Sequence, residues 1–140
     1  MRAEDGVARA QVAAHPDGDG LLTDVGVAGA VDEAARALGG LDILVNNAGI
    51  SWGAPAEDLP LEKWQDVMAV NATGTFLVAR EALRLMRAHG GSIINVASVA
   101  GLVGTAPEVL DASGYAASKG AVIALTRDLA VKCARHGVRV

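Results

Sequence analysis

The sequence contains a single cysteine, Cys133, so no disulfide can form within it, and a zinc centre of cysteines and histidines lacks its ligands. Cys133 reads instead as a small buried hydrophobe. No run of about 18 uncharged apolar residues occurs, so nothing here is built to cross a bilayer as a helix. The opening MRAEDGVARA lacks the apolar core of a signal peptide. Positive charge is scarce: the net charge is −4 and the 12 lysines and arginines are scattered, which leaves no basic field for nucleic acid or an anionic membrane. A calcium loop at Asp17-Gly18-Asp19-Gly20 fails too, because its third oxygen ligand would fall at Leu21, its glycine at Leu22 and its closing glutamate at Ala28. Together these absences read as a cytosolic, hence cytoplasmic, protein with no membrane, nucleic-acid or metal partner.

What is present suits one domain spanning residues 1–140: 51% of residues are hydrophobic and 20% charged, enough to bury a sizeable core. Residues 4–14 resemble the end of a helix closed by turn residues at 15–20, and Leu21 to Thr23 is a short apolar strand. Helical spacing of Val31, Ala34, Ala35 and Leu38 predicts a helix over 27–38, stopped by Gly39-Gly40. Leu41 to Val45 and Ser92 to Ala97 are nearly uninterrupted apolar, branched runs, the pattern of parallel strands buried on both faces. Between them a long helix starts at Pro60, with Trp64, Val67, Met68, Phe76, Leu77, Leu83 and Met86 apolar, and ends at His89-Gly90-Gly91. Asn71, Thr73, Gly74 and Thr75 are poor helix formers in its middle, predicting a local kink that frees backbone carbonyls, or a close helix contact at the glycine. A last helix spans 114–135, and Val138 to Val140 begins another strand. His89 and His136 each precede a glycine at a helix end, which points to capping rather than catalysis.

Chemistry concentrates at the carboxyl ends of the two long strands, the edge where open α/β sheets bind ligands. After the first comes Asn46-Asn47-Ala48-Gly49, either an ordinary turn or a stretch of small residues that lets backbone approach a ligand. After the second comes Ser98. Tyr115 is the only tyrosine, and one of only three lysines, Lys119, follows it by one helical turn. Four residues of helix turn through about 400° and rise about 6 Å, so both side chains leave one face. An ammonium there favours the phenolate and eases proton exchange, while a serine hydroxyl holds a carbonyl oxygen.

These residues resemble the short-chain dehydrogenase/reductase family. In that family a strand ends in NNAG, an asparagine interrupts the next long helix, a serine follows the next strand, and a YxxxK pair lies on the helix after it. The matching positions are Asn46 to Gly49, Asn71, Ser98, and Tyr115 with Lys119, in the family order and spanning nearly the whole chain. The resemblance implies an α/β, doubly wound Rossmann-type parallel sheet with helices on both faces, incomplete at both ends. It implies NAD(P)-dependent hydride transfer between a secondary alcohol and a carbonyl of a small molecule, with Asn71, Ser98, Tyr115 and Lys119 catalytic. Asp24 and Val25, which match the dipeptide that meets adenine, would hold NAD or NADP with Asn46, Ala48, Gly49, Tyr115 and Lys119. The two long helices are the family's subunit contact, so a complete version is expected to be a homodimer or homotetramer, with Trp64, Phe76, Leu77, Leu83 and Met86 as the apolar surface.

Two departures stand out. The interval from Ser98 to Tyr115 is longer than is common in the family, with the extra length around PEVLDAS, and should reshape the substrate loop. That loop resembles gluconate 5-dehydrogenase-like members, with 3-oxoacyl-acyl-carrier-protein reductases as the competing subgroup. Its few charges and those of 51–59 argue against a strongly anionic substrate. The family's TGxxxGxG turn does not occur in the 140 residues. The chain therefore reads as starting after the second strand and ending as the sixth begins, leaving open edges on the Leu21 and Leu41 strands. The alternative is an inactive remnant that at most self-associates through its long helices.

Overall fold

The computed structural model describes residues 24–140. The expected helix end at 4–14, the turn at 15–20 and the strand at 21–23 lie outside the described residues, as does the side chain of Asp24.

Helix α1 runs from Asp24 to Leu38, three residues earlier than the spacing of its apolar positions required. Val27 and Val31, one turn apart, are buried in the core and seat α1 on the later helix α3. The chain then enters β1, Ile43–Asn46. Leu41 is already buried ahead of the ladder, and the carbonyl of Asp42 accepts from Ser92 N at 2.8 Å, so the apolar run starts two residues before the strand does.

Strands β1, β2 (Gly91–Asn95) and β3 (Val138–Arg139) form a parallel sheet in that order. The register pairs Leu44 with Ile93 and Asn46 with Asn95, and Gly91 with Val138. Leu44, Ile93 and Val138 thus share one face, and all three join a single core with Val27 and Val31 of α1, with α3 and with Cys133 of α4. Burying side chains such as Leu44 and Met86 stabilises the fold by about 1.5–3 kcal/mol each. On the opposite face Ile94 and Val96 are exposed. Among the described residues the helices pack on the face of Leu44 and Ile93, within the parallel, incomplete α/β sheet that had been expected.

The long middle helix is three pieces: α2 (Leu61–Met68), a π-helical segment (Ala69–Gly74) and α3 (Thr75–Met86). The expected kink at Asn71 is that π segment. It changes which residues face outward. Leu77 and Met86, expected on a subunit surface, are buried in the chain's own core, whereas Phe76 points out with the Arg80 guanidinium 5.8 Å from its ring centre. Helix α4 spans Ser113–Cys133, one residue longer at its start than expected, and tightens into a 3-10 turn over Ala134–His136.

Glycines rather than histidines close the two helix ends. Gly90 N donates to Met86 O at 2.8 Å, and Gly137 sits in the left-handed region at φ 69. A side chain on Gly90 would stand 2.8 Å from Gly137 O, so the ends of α3 and α4 meet backbone to backbone. His89 Nδ1 lies 4.0 Å from Asp42 Oδ1, and His136 Nε2 accepts from Arg135 Nε at 3.2 Å. Neither imidazole donates to a helix carbonyl among the described residues, but Arg135 and His136 both stand in the last turn after α4, where positive charge suits the negative end of the helix dipole.

Candidate active site

Both long strands deliver an asparagine to the carboxyl edge, and the parallel register sets the two side by side. Asn46 Nδ2 donates to Asn95 Oδ1 at 2.9 Å and to Thr75 O at 3.4 Å, while Asn95 Nδ2 donates to Thr126 Oγ1 on α4 at 2.9 Å. Asn46 is therefore buried and turned inward, bracing the edge. Within the NNAG turn Asn47 and Gly49 lie open, with Ala48 half-buried.

Asn71 is fully buried, as the isolation of an amide from water requires only when its bonds are made. They are. Its Oδ1 accepts from Ile50 N at 2.8 Å, and its Nδ2 donates to Ile50 O at 2.8 Å and to Ser118 Oγ at 2.9 Å. Ser118 Oγ in turn donates to Tyr115 O at 2.7 Å. The carbonyl of Asn71 accepts from Thr75 Oγ1 at 2.7 Å, so a side chain takes up a carbonyl within the π segment. Both donors of the amide are thereby used, and it ties the turn after β1 to α4.

Ser98 leads out of β2 and caps the 3-10 turn Val99–Gly101, its hydroxyl accepting from Ala100 N at 3.2 Å. That turn presses on α4 at the residues that matter. A side chain at Gly101 would stand 2.6 Å from both Lys119 C and Gly120 N, so only glycine allows this approach. The other end of α4 is seated by Trp64 of α2, whose ring lies 3.5 Å from where a Gly114 side chain would begin.

Lys119 is buried at 5% exposure and its ammonium donates to Val96 O at 2.8 Å. It stands 5.7 Å from the centre of the half-buried Tyr115 ring, one turn away on the same face. A lysine has three donors, and an ammonium taken out of water needs partners for them. A side chain on Gly49 would meet Lys119 Nζ at 3.5 Å and Asn71 Oδ1 at 3.4 Å, so the bare backbone of Gly49 keeps the approach to that ammonium clear. Ser98, Tyr115 and Gly49 all line one open cleft of about 560 Å³.

The structure thus brings together Asn71, Ser98, Tyr115, Lys119 and Gly49. Val25 lies on the exposed first turn of α1, a helix that contributes nothing to the cleft lining. Sequence reasoning missed Ser118, Asn95, Thr75 and Thr126. One signal was available: both apolar strands run into asparagine, at positions that a parallel register pairs.

A family model described as short chain dehydrogenase matches residues 13–140. The chain is 41% identical over 139 residues to "Inactive 2-(S)-hydroxypropyl-CoM dehydrogenase 2" of Xanthobacter autotrophicus, covering 99% of this chain and 59% of that protein. It is 46% identical over 112 residues to a 3-alpha-(or 20-beta)-hydroxysteroid dehydrogenase of Mycobacterium tuberculosis, covering 79% and 42%. A crystal structure of a short-chain type dehydrogenase/reductase from Mycobacterium marinum superposes with a TM-score of 0.81 at 40% identity, over 86% of this chain and 48% of that one. The chain spans about half the length of the curated relatives it matches.

Proposed function

Because the chain belongs to the short chain dehydrogenase family, we propose that it carries the proton-transfer half of a cytoplasmic, NAD(P)-dependent oxidoreductase that interconverts a secondary alcohol and a carbonyl. The observation that carries this reading is one cleft lined by both Ser98 and Tyr115, with the Lys119 ammonium 5.7 Å from the tyrosine ring. In reduction the Tyr115 hydroxyl gives its proton to the substrate carbonyl oxygen, and in oxidation the phenolate takes it back. Ser98 donates a hydrogen bond to that same oxygen as charge develops on it. The positive charge of Lys119 stabilises the phenolate between the two directions. Asn71 and Ser118 hold the backbone of Ile50 and Tyr115 in place around the reacting oxygen.

The residues fit a nicotinamide cofactor at this edge. Gly49 presents no side chain, and Lys119 has donors beyond the one on Val96 O that would take hydroxyls of the nicotinamide ribose. When bound, the cofactor supplies or accepts the hydride. The exposed Val25 offers an apolar side chain for adenine.

A second reading, an inactive self-associating remnant, is favoured by the name of the Xanthobacter relative, which is called inactive. Titration with NADH and NADPH separates the two readings, run on the chain alone and on the chain joined to an amino-terminal segment with a strand, glycine-rich turn and helix. Cofactor binding with ketone reduction in either form, lost in Tyr115→Phe, supports the enzyme. Failure of both forms to bind either cofactor supports the remnant.

A further inference from the structure

The cleft that holds Ser98 and Tyr115 is walled by apolar side chains, three of which, Ile50, Val99 and Val109, the fold leaves open to water. Ile50 comes from the turn after β1, Val99 and Ala100 from the turn after Ser98, and Val109 and Leu110 from the long loop that precedes α4. Val99 is 66% exposed and Val109 79%, and Ile50 also reaches solvent. Contiguous apolar surface of this kind costs free energy in water and marks a place where something apolar sits.

The polar side chains of the lining are four hydroxyls, with no charged group among them. Thr105 spends its hydroxyl on Leu110 O at 3.1 Å. Ser51, Ser98 and Tyr115 are the remaining hydroxyls in the lining, and Ser98 and Tyr115 are the groups assigned to the reacting oxygen. Among the described residues no arginine, lysine or histidine lines the cleft, and the loop's own charged side chains, Glu108 and Asp111, are carboxylates that bring no counter-charge for an anion.

The loop is also built, not loose. Val109 N and Leu110 N both donate to Ala106 O, at 2.9 and 3.0 Å. Its end is pinned to the other wall by Ala54 N donating to Asp111 O at 2.9 Å within a parallel bridge between Ala54 and Ala112. Valine and isoleucine side chains are stiff about their first torsion, so the walls at Ile50, Val99 and Val109 are pre-shaped. A volume of about 560 Å³ lies within the range of sites that enclose small organic ligands.

We infer that this cleft takes an uncharged ketone or secondary alcohol with an apolar body, and excludes sugar acids. The inference rests on the oxidoreductase reading for the identity of the reacting group, and only for that. It argues against the gluconate 5-dehydrogenase-like subgroup that the loop resembles in sequence, because a carboxylate and a row of hydroxyls find neither a cation nor enough hydrogen-bond partners here.

The test is ligand binding to the 140-residue chain, with no turnover needed. Isothermal titration or ligand-observed NMR compares trans-2-decalone with 5-keto-D-gluconate, in the unaltered chain and in Val109→Asp and Val99→Asp, both at exposed positions where folding is undisturbed. Decalone is expected to bind at least about tenfold more tightly than the sugar acid, and each aspartate to weaken decalone by about tenfold, the order of discrimination an apolar pocket supplies. Equal or tighter binding of the sugar acid, absence of decalone binding, or decalone binding indifferent to both aspartates overturns the inference. The oxidoreductase reading fails separately, if decalone binds in this way while NAD(P)H-dependent, Tyr115-dependent reduction is never seen.

Discussion

At the scale of single residues, Tyr115 and Lys119 divide the work between them, and kinetics separate their parts. Tyr115→Phe keeps the ring and its packing and removes the hydroxyl that exchanges the proton. Turnover in the cofactor-competent form should fall by about two to four orders of magnitude, with the cofactor KM little changed. Lys119→Met takes away the ammonium that faces both the Tyr115 ring and the open backbone of Gly49. There kcat should fall and the cofactor KM rise together; a cofactor KM that stayed put would show that Lys119 does not touch the cofactor. Cys133 makes a different kind of prediction. Burial pushes its thiol above the ordinary range, against the opposing pull of Arg135. An acid whose native value is raised stays neutral in the folded chain after the unfolded chain has begun to ionise. Its contribution to stability is whole below about pH 8.5 and is lost as pH climbs through the native value. Urea midpoints should drop between pH 8 and 10, less so in Cys133→Val, and alkylation at pH 8 should be slow until the chain unfolds.

At the scale of elements, the π segment decides how the site is held. Asn71 belongs to it and satisfies two backbone groups of Ile50 and the Ser118 hydroxyl at once. Asn71→Ala leaves the buried Ser118 hydroxyl without one partner and frees the two part-buried backbone groups of Ile50, a combined cost of about 1–3 kcal/mol because water reaches Ile50. Chemical denaturation should show a loss of that order, and amide exchange at Ile50 should quicken more than in the sheet. Unchanged exchange there would mean the turn after β1 is held by something else. The strands, the helices and the break at Asn71 were legible because uninterrupted branched runs and clustered poor helix formers have few other uses. The bracing bonds were not, since Ser118 and Thr126 meet their partners only through the crossing of α4 with the π segment and β2. The outward face of the middle helix was misread for a definite reason. The surface was inherited from the family resemblance and took in both Phe76 and Leu77, neighbours that leave a helix about 100° apart, so Leu77 and Met86 turn inward while Phe76 turns out.

At the scale of the whole molecule, two apolar surfaces compete to explain any self-association. One is the outer side of the long helices, where Leu61, Phe76 and Val131 are exposed. The other is the sheet face carrying Ile94 and Val96, which none of the described helices covers. A shared helical surface gives a closed, two-fold pair, because an isologous patch is used up when two copies meet. An exposed apolar sheet face with no shaped partner favours non-specific clustering instead. Association through the helices is the part of the proposal inherited from family resemblance, and charge placed on each surface tests it. Light scattering at micromolar concentration should give a discrete dimer or tetramer, and Phe76→Glu, which sets a carboxylate at an exposed position of α3, should move it to monomer. Ile94→Lys should leave that discrete species in place while reducing larger aggregates. If Ile94→Lys alone yields monomer and Phe76→Glu changes nothing, association runs through the sheet, and the helical surface exposed here is not the contact.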